Sequence, residues 1–207
     1  MTKKTFYIIR HGETDLNKAG IVQGRGMDTD LNETGRKQGE SFYRAYKNIP
    51  FNKIYTSVLK RTHQTVKGFI DTGIAWQQLP GLDEMAWGDY EGKAVSEETR
   101  GRFKKIMQSW KDGDLDVRFE NGESPNEVQT RQKEAMQEIM SHPEEGTVLI
   151  CMHGRAMRLL LCLLSDLPLT KMDNYPHRNT TLYRVNFDGE KFHVVDFNNT
   201  DHLKFLA

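Results

Sequence analysis

The chain has 207 residues, and at about 150 residues per domain this length predicts one domain, or one domain carrying an insertion, rather than two large ones. Its 37% hydrophobic residues and 17 glycines together reach the apolar content of folded soluble domains, which excludes disorder as the main state. Lysine plus arginine (29) balances aspartate plus glutamate (29), which excludes the broad basic field that drives non-specific binding to nucleic acid or to an anionic membrane, so any anion site must be local.

At the start of the chain Phe6-Tyr7-Ile8-Ile9 is a continuous apolar run and reads as a strand buried on both faces. The run ends at the charged Arg10, too short for the apolar part of a secretion signal or for a membrane span, and a cytoplasmic protein is expected. Apolar residues at helical spacing predict helices near 33–47, 58–72, 97–111, 125–141 and 155–165. Short strands are predicted at 53–56 and 76–79, a second fully buried one at 148–152, and a closing pair at 181–187 and 191–197 joined by a two-residue turn at Asp188-Gly189. Ser124-Pro125-Asn126-Glu127 is a capping box with proline at the first helical position, which fixes one helix start. Cys151 and Cys162 lie in apolar segments without CxxC spacing, which argues against a disulfide scaffold and fits a reducing compartment.

Strands alternating with helices predict a three-layer α/β/α sandwich on a mixed, mostly parallel sheet. The whole of 1–207 is read as a single domain, with the strand-poor stretch 81–121 as an insertion or lid.

His11-Gly12 and His153-Gly154 each follow directly on a predicted buried strand. In open α/β sheets ligands bind beyond the carboxyl ends of the strands, and a glycine there lets the backbone approach closely. Arg10 ends the first strand, where a charged side chain requires a pocket and an anion. Ser57 ends the second and is expected to cap the next helix, placing Arg61 one turn above free amides, a pattern suited to an oxyanion. Glu84, in Leu82-Asp83-Glu84-Met85-Ala86-Trp87, has apolar neighbours able to desolvate it, and Asp83, Glu91 and Glu13 are rival carboxylates for acid or base work. Which histidine attacks stays open on these grounds. The nucleophile must present an unprotonated nitrogen while its partner is more useful charged, so the two are expected to titrate apart.

Asp112, Asp114, Asp116 and Glu123 fall at the ligand spacing of a calcium loop, but Val117 stands where that loop requires glycine. Gly24-Arg25-Gly26 lacks the third glycine and the preceding strand of a dinucleotide motif, and no Walker A string occurs. No cofactor and no metal is expected.

Taken in order, Arg10-His11-Gly12-Glu13-Thr14, Asn17, Gln23-Gly24, Leu31, Gly35, Gln38, the run Thr56-Ser57-Val58-Leu59-Lys60-Arg61, Glu84 with Gly88, Tyr90, Glu91 and Gly92, then Gly122-Glu123-Ser124 and His153-Gly154 resemble the histidine phosphatase superfamily. The resembling branch is that of cofactor-dependent phosphoglycerate mutases and small phosphatases such as α-ribazole phosphatase. The resemblance implies that His11 is the nucleophile and becomes a phosphohistidine, that Arg10, Arg61 and His153 hold the phosphoryl oxygens with Asn17 in support, and that Glu84 protonates the leaving oxygen. Gln23 and Gly24 beside the site and Trp87 in the lid are the expected substrate contacts.

Two guanidiniums and an imidazolium would neutralise a phosphate dianion without a metal. The chain departs from the family pattern in the loop 25–31, where Asp30 replaces a usual proline, and at Arg155, where a small residue is common; Arg155 is expected to reach solvent. The basic run 100–105 is expected to be a solvated helix face. The short chain and the apolar residues Met85, Trp87, Phe103 and Trp110 favour a metal-independent phosphomonoester hydrolase acting on a small phosphorylated metabolite over a 2,3-bisphosphoglycerate-dependent phosphoglycerate mutase. Neither nucleic acid nor a membrane is expected as a partner; a homodimer is a candidate assembly.

Overall fold

A computed structural model describes residues 3–93 and 97–206. The first strand, β1 (Lys4–Arg10), lies near the middle of a six-stranded sheet. It is followed by the short α1 (Asp15–Lys18), then α2 (Glu33–Tyr46), β2 (Lys53–Thr56), α3 (Lys60–Thr65), α4 (Lys67–Ile70) and β3 (Trp76–Gln78). The second half runs α5 (Glu97–Asp112), α6 (Pro125–Met140), β4 (Thr147–Met152), α7 (Gly154–Leu164), β5 (Leu182–Phe187) and β6 (Phe192–Asn199), with short 3-10 turns between. Strand order is β3-β2-β4-β1-β5-β6; the first four are parallel, β5 pairs antiparallel with β1, and β6 pairs antiparallel with β5.

The uninterrupted apolar runs of β1 and β4 follow from burial on both faces. Phe6, Ile8, Val148, Ile150 and Met152 point into one cluster with Val128 and Ile139 of α6 and Leu159 and Leu160 of α7. Tyr7, Ile9, Leu149 and Cys151 point into the other, with Phe42 of α2 and Phe69 of α4. The three-layer sandwich is therefore as expected. Both cysteines are buried and free. No helix among the described residues is long and apolar enough to cross a membrane.

Three local expectations are corrected. The helix expected over 58–72 is broken at Val66 and starts only at Lys60: the Thr65 hydroxyl donates back to the Arg61 carbonyl (2.6 Å), and such back-bonding by a β-branched residue bends helices. The N-cap is Leu59, without a side-chain bond, rather than Ser57, whose hydroxyl accepts from Leu59 N (3.1 Å) just ahead of the helix. The β5–β6 connection has four residues rather than two, because Phe187 pairs with Phe192 and the Asp188 carboxylate accepts from the Glu190 and Lys191 amides (2.8 and 2.9 Å). The capping box at Ser124 is present, its hydroxyl accepting from Glu127 N.

Helix α2 is pressed against the loop that follows β1. A Cβ added at Gly35 would lie 2.1 Å from the Glu13 carbonyl oxygen, a clash with backbone that no rotamer relieves. Gly35→Ala is expected to destabilise the protein by about 3 kcal/mol, lowering the thermal midpoint by roughly 5–10 °C. An unchanged midpoint in calorimetry would contradict this packing.

Candidate active site

The register of the parallel strands places the site. Arg10 pairs with Met152 and Thr56 with Cys151, so the residues one step further, His11, His153 and Ser57, emerge together at the carboxyl edge of the sheet. His11 and His153 are buried, with ring centroids 5.1 Å apart.

Their hydrogen bonds differ in kind. His11 Nδ1 lies 2.7 Å from the Gly12 carbonyl, which can only accept, so Nδ1 carries the proton and Nε2 keeps its lone pair. Arg61 Nε donates to His153 Nδ1 (3.2 Å), so the neutral His153 ring carries its proton on Nε2 and donates it to Ser57 Oγ (2.7 Å). Of the two rings, only His11 presents a lone pair not engaged by protein among the described residues.

Burial, then the Arg61 and Arg10 charges, push the His11 pKa well below its ordinary value; burial and Arg61 do the same to His153. The expected split, with His153 charged, is therefore corrected: both imidazoles are neutral here, and the cationic charge comes from the arginines. A histidine whose folded pKa is depressed contributes stability above its unfolded pKa that is lost as the pH falls below it. Unfolding free energy should fall from about pH 6.5 downward, by up to about 1.4 kcal/mol per pH unit for each of the two rings. Urea titrations at pH 7.5 and 5.5 check this; equal midpoints would refute it.

Arg61 is fully buried, and its other nitrogens donate to the Met27 carbonyl (2.6 Å) and the Gly24 carbonyl (3.2 Å). Met27 belongs to the loop in which the sequence departs from the family, and Gly24 directly precedes it. Asp30 there accepts from Gln64 Nε2 (2.6 Å) and Asp28 from Lys60 N (2.7 Å), so the two acids tie the loop to α3. Arg10 Nη1 donates to His177 Nδ1 (3.3 Å), while Arg10 Nε is buried with no partner among the described residues. Burial lowers the Arg10 pKa to about 10, which leaves it cationic at neutral pH. An orphaned cationic donor beside a free imidazole lone pair is a place for an anion.

Asn17 Oδ1 accepts from Asn179 Nδ2 (3.1 Å), which also donates to the His11 carbonyl (3.2 Å). Glu84 is buried at the amino end of α7: Oε1 accepts from Met85 N and Ala156 N (both 2.9 Å), Oε2 from Arg155 N (3.1 Å). Its charge is the foremost opposing one on both Arg10 and Arg61. The rivals are committed elsewhere, Asp83 to Val58 N and Arg25, Glu91 to Trp87 N, and Glu13 to Asn32.

Gln23 spends its amide on Thr14 and Thr29 (both 2.5 Å) beside the loop. Trp87 is buried against Phe103, Trp110 and Phe119 rather than lining open space. Arg155 does not reach solvent as expected; its side chain is 13% exposed, with the guanidinium 5.8 Å from the Trp87 ring and 5.6 Å from that of Trp110, where cation–π attraction holds it. Arg100, Arg102, Lys104 and Lys105 are exposed, as a solvated face requires. Of the would-be calcium ligands, Glu123 pairs with Arg131 and Asp116 accepts from Asn126. The one group of described residues whose ligand atoms approach closely enough for a metal is His142, Glu144 and Glu145, before β4 and so at the opposite end of the sheet.

Reading the sequence missed His177 and Asn179. They precede β5, whose antiparallel pairing with β1 brings the segment back to His11, Thr180 N donating to the His11 carbonyl (3.4 Å). The polar run His177-Arg178-Asn179-Thr180 ahead of a predicted strand was the available signal.

The fold and this cluster define a class, an α/β enzyme with histidines and arginines gathered at the carboxyl edge of its sheet. The chain belongs to the histidine phosphatase superfamily (branch 1), which its residues 6–200 match. It is 31% identical to "Probable phosphoglycerate mutase GpmB" of Yersinia pestis over 184 residues, covering 87% of this chain and 84% of that one. It is 26% identical to "Phosphoserine phosphatase 1" of Hydrogenobacter thermophilus, covering 95% and 92%. The solved structure of Bacillus stearothermophilus YhfR superposes with a TM-score of 0.83 at 30% identity, covering 97% and 99%.

Proposed function

We propose that the protein is a metal-independent phosphomonoesterase for a small phosphorylated metabolite, working through a phosphohistidine on His11 Nε2. The observation that carries this reading is the unequal bonding of the two histidines, one with Nε2 free and one with both nitrogens engaged. The phosphatase name of the Hydrogenobacter relative supports the same direction.

Phosphoryl transfer needs in-line positioning and charge neutralisation, and Arg10 and Arg61 supply two fixed positive charges beside the nucleophile. The His11 Nε2 lone pair attacks phosphorus and the ester P–O bond breaks. Glu84, protonated for this step, gives its proton to the departing alkoxide. Oε2 accepts one hydrogen bond against two at Oε1, so it is the oxygen with room for that proton. Water then attacks the phosphohistidine, Glu84 takes a proton from it, the N–P bond breaks and inorganic phosphate leaves with His11 restored.

Hydrolysis of p-nitrophenyl phosphate should persist in EDTA; loss of activity with the chelator would refute the metal-free reading. Glu84→Gln should slow alkyl phosphates by about 10²- to 10³-fold, and p-nitrophenyl phosphate, whose leaving group needs little protonation, by less than about tenfold. Equal losses on both would remove Glu84 from the acid role. The second reading, a mutase, has support in the 31% identity to the Yersinia protein. With 3-phosphoglycerate and a 2,3-bisphosphoglycerate primer, phosphate release should exceed isomerisation; the reverse would establish the mutase.

A further inference from the structure

The Arg10 guanidinium is held by a partner that carries no charge. Its Nη1 lies 3.3 Å from His177 Nδ1, and a guanidinium can only donate, so Nδ1 is the acceptor and the neutral His177 ring carries its proton on Nε2. Burial, with Arg10, Arg158 and Arg155 around it, lowers the His177 pKa to about 2, which keeps the ring neutral near pH 7. Among the described residues His177 is the only hydrogen-bond partner of this guanidinium, and Arg10 Nε stays buried and unpaired.

The His177 ring is itself fixed. A Cβ on Gly154 would lie 2.5 Å from its Cε1 and 2.9 Å from its Nε2, so the ring packs against the first residue of α7, the helix whose N-cap is His153 and whose first amides hold Glu84. The segment that follows it is tied to the nucleophile: Asn179 Nδ2 and Thr180 N both donate to the His11 carbonyl (3.2 and 3.4 Å). Thr180 takes φ 56°, a left-handed backbone that a β-branched residue adopts only where its surroundings impose it. The turn that carries His177 to Arg10 is thus held by the site rather than by its own preference.

An arginine that binds a phosphoryl group has two requirements that conflict. Its planar fork must be fixed in orientation, which calls for an acceptor. A carboxylate acceptor would neutralise the guanidinium and compete with the phosphate for the same N–H groups. A neutral imidazole nitrogen orients one N–H and leaves the positive charge and the remaining donors to the substrate.

We propose that His177 is a positioning residue for Arg10, fixing the guanidinium toward the phosphoryl group through an uncharged acceptor. The proposal rests on the phosphomonoesterase reading above, in which Arg10 binds that group.

The test compares His177→Asn, His177→Asp and His177→Ala, with p-nitrophenyl phosphate as substrate, inorganic phosphate as competitive inhibitor and the thermal midpoint as the check on folding. Asparagine and aspartate share a shape, and each can place an oxygen where Nδ1 stands, so the ratio between them reads charge alone. In His177→Asn, kcat/KM and the inhibition constant for phosphate should stay within about threefold of wild type. Both should worsen about tenfold in His177→Ala, the worth of one hydrogen bond to a charged group, and by about tenfold or more in His177→Asp. In an Arg10→Ala background each substitution should change kcat/KM less than about twofold, because the group it acts through is gone. Equal values for His177→Asn and His177→Asp, a loss in His177→Asn as large as in His177→Ala, or losses that add to that of Arg10→Ala would overturn the His177 assignment and leave the hydrolase reading standing. Should His177→Ala fail to fold, the asparagine–aspartate comparison decides. If the wild-type enzyme does not hydrolyse p-nitrophenyl phosphate, both readings fall.

Discussion

His11→Ala is expected to lower kcat/KM for p-nitrophenyl phosphate by at least about 10⁴-fold, because it removes the group that forms the covalent bond rather than one that assists it. His153 cannot take over: its Nδ1 accepts from Arg61 and its Nε2–H is given to Ser57, so no lone pair faces a phosphate, and rotating the ring would break both bonds. Water in the vacated space lacks the imidazole's nucleophilicity. The substitution deletes one hydrogen bond, to the Gly12 carbonyl, so the variant should remain folded, which its thermal midpoint checks. Activity within tenfold of wild type in a folded variant would place the nucleophile elsewhere.

Arg61→Lys is expected to cost about 10²-fold or more in kcat/KM although the charge is kept, and Arg61→Ala more still. The guanidinium makes three hydrogen bonds at once: it fixes the His153 tautomer through Nε, and it carries the loop through the Met27 and Gly24 carbonyls. Its five donors leave two N–H bonds beyond those three for phosphoryl oxygens. An ammonium has three donors on one atom and cannot reach His153, two carbonyls and a phosphate together. Both variants should also unfold at lower urea concentration, since the side chain is fully buried and its acceptors would be left unpaired. Retention of near-wild-type kcat/KM in Arg61→Lys would show that charge alone suffices and that the fork geometry is incidental.

What could be read in the sequence was whatever is settled locally. The apolar runs at β1 and β4, the capping box at Ser124 and the strand-end positions of His11 and His153 depend on residues within a few places of each other, and the structure has them as expected. Glu84 needed the family resemblance to be singled out, since its three amide donors come from the next residue and from the start of α7, more than 70 positions away. The sequence context of Ser57 suits a helix cap, and its hydroxyl does take the Leu59 amide, but the helix starts only at Lys60 and a histidine 96 residues further on shares that hydroxyl. Long cations usually reach solvent, which is the reading local sequence supports for Arg155, and only the meeting of Trp87 and Trp110 from the 81–121 stretch supplies the aromatic faces that keep it inside. His177 and Asn179 escaped notice because they reach the site through the pairing of β5 beside β1, and strand order is not a local property.

The most direct test is to mix the enzyme with substrate, quench within milliseconds under alkaline conditions that preserve phosphohistidine, and identify the phosphorylated atom by mass spectrometry and phosphorus NMR. Phosphate on Nε2 of His11 is the expected result, because Nδ1 is bound to the Gly12 carbonyl. Phosphate on His11 Nδ1 or on His153, or a rapid-quench series with no phosphoenzyme at any time during turnover, would contradict it.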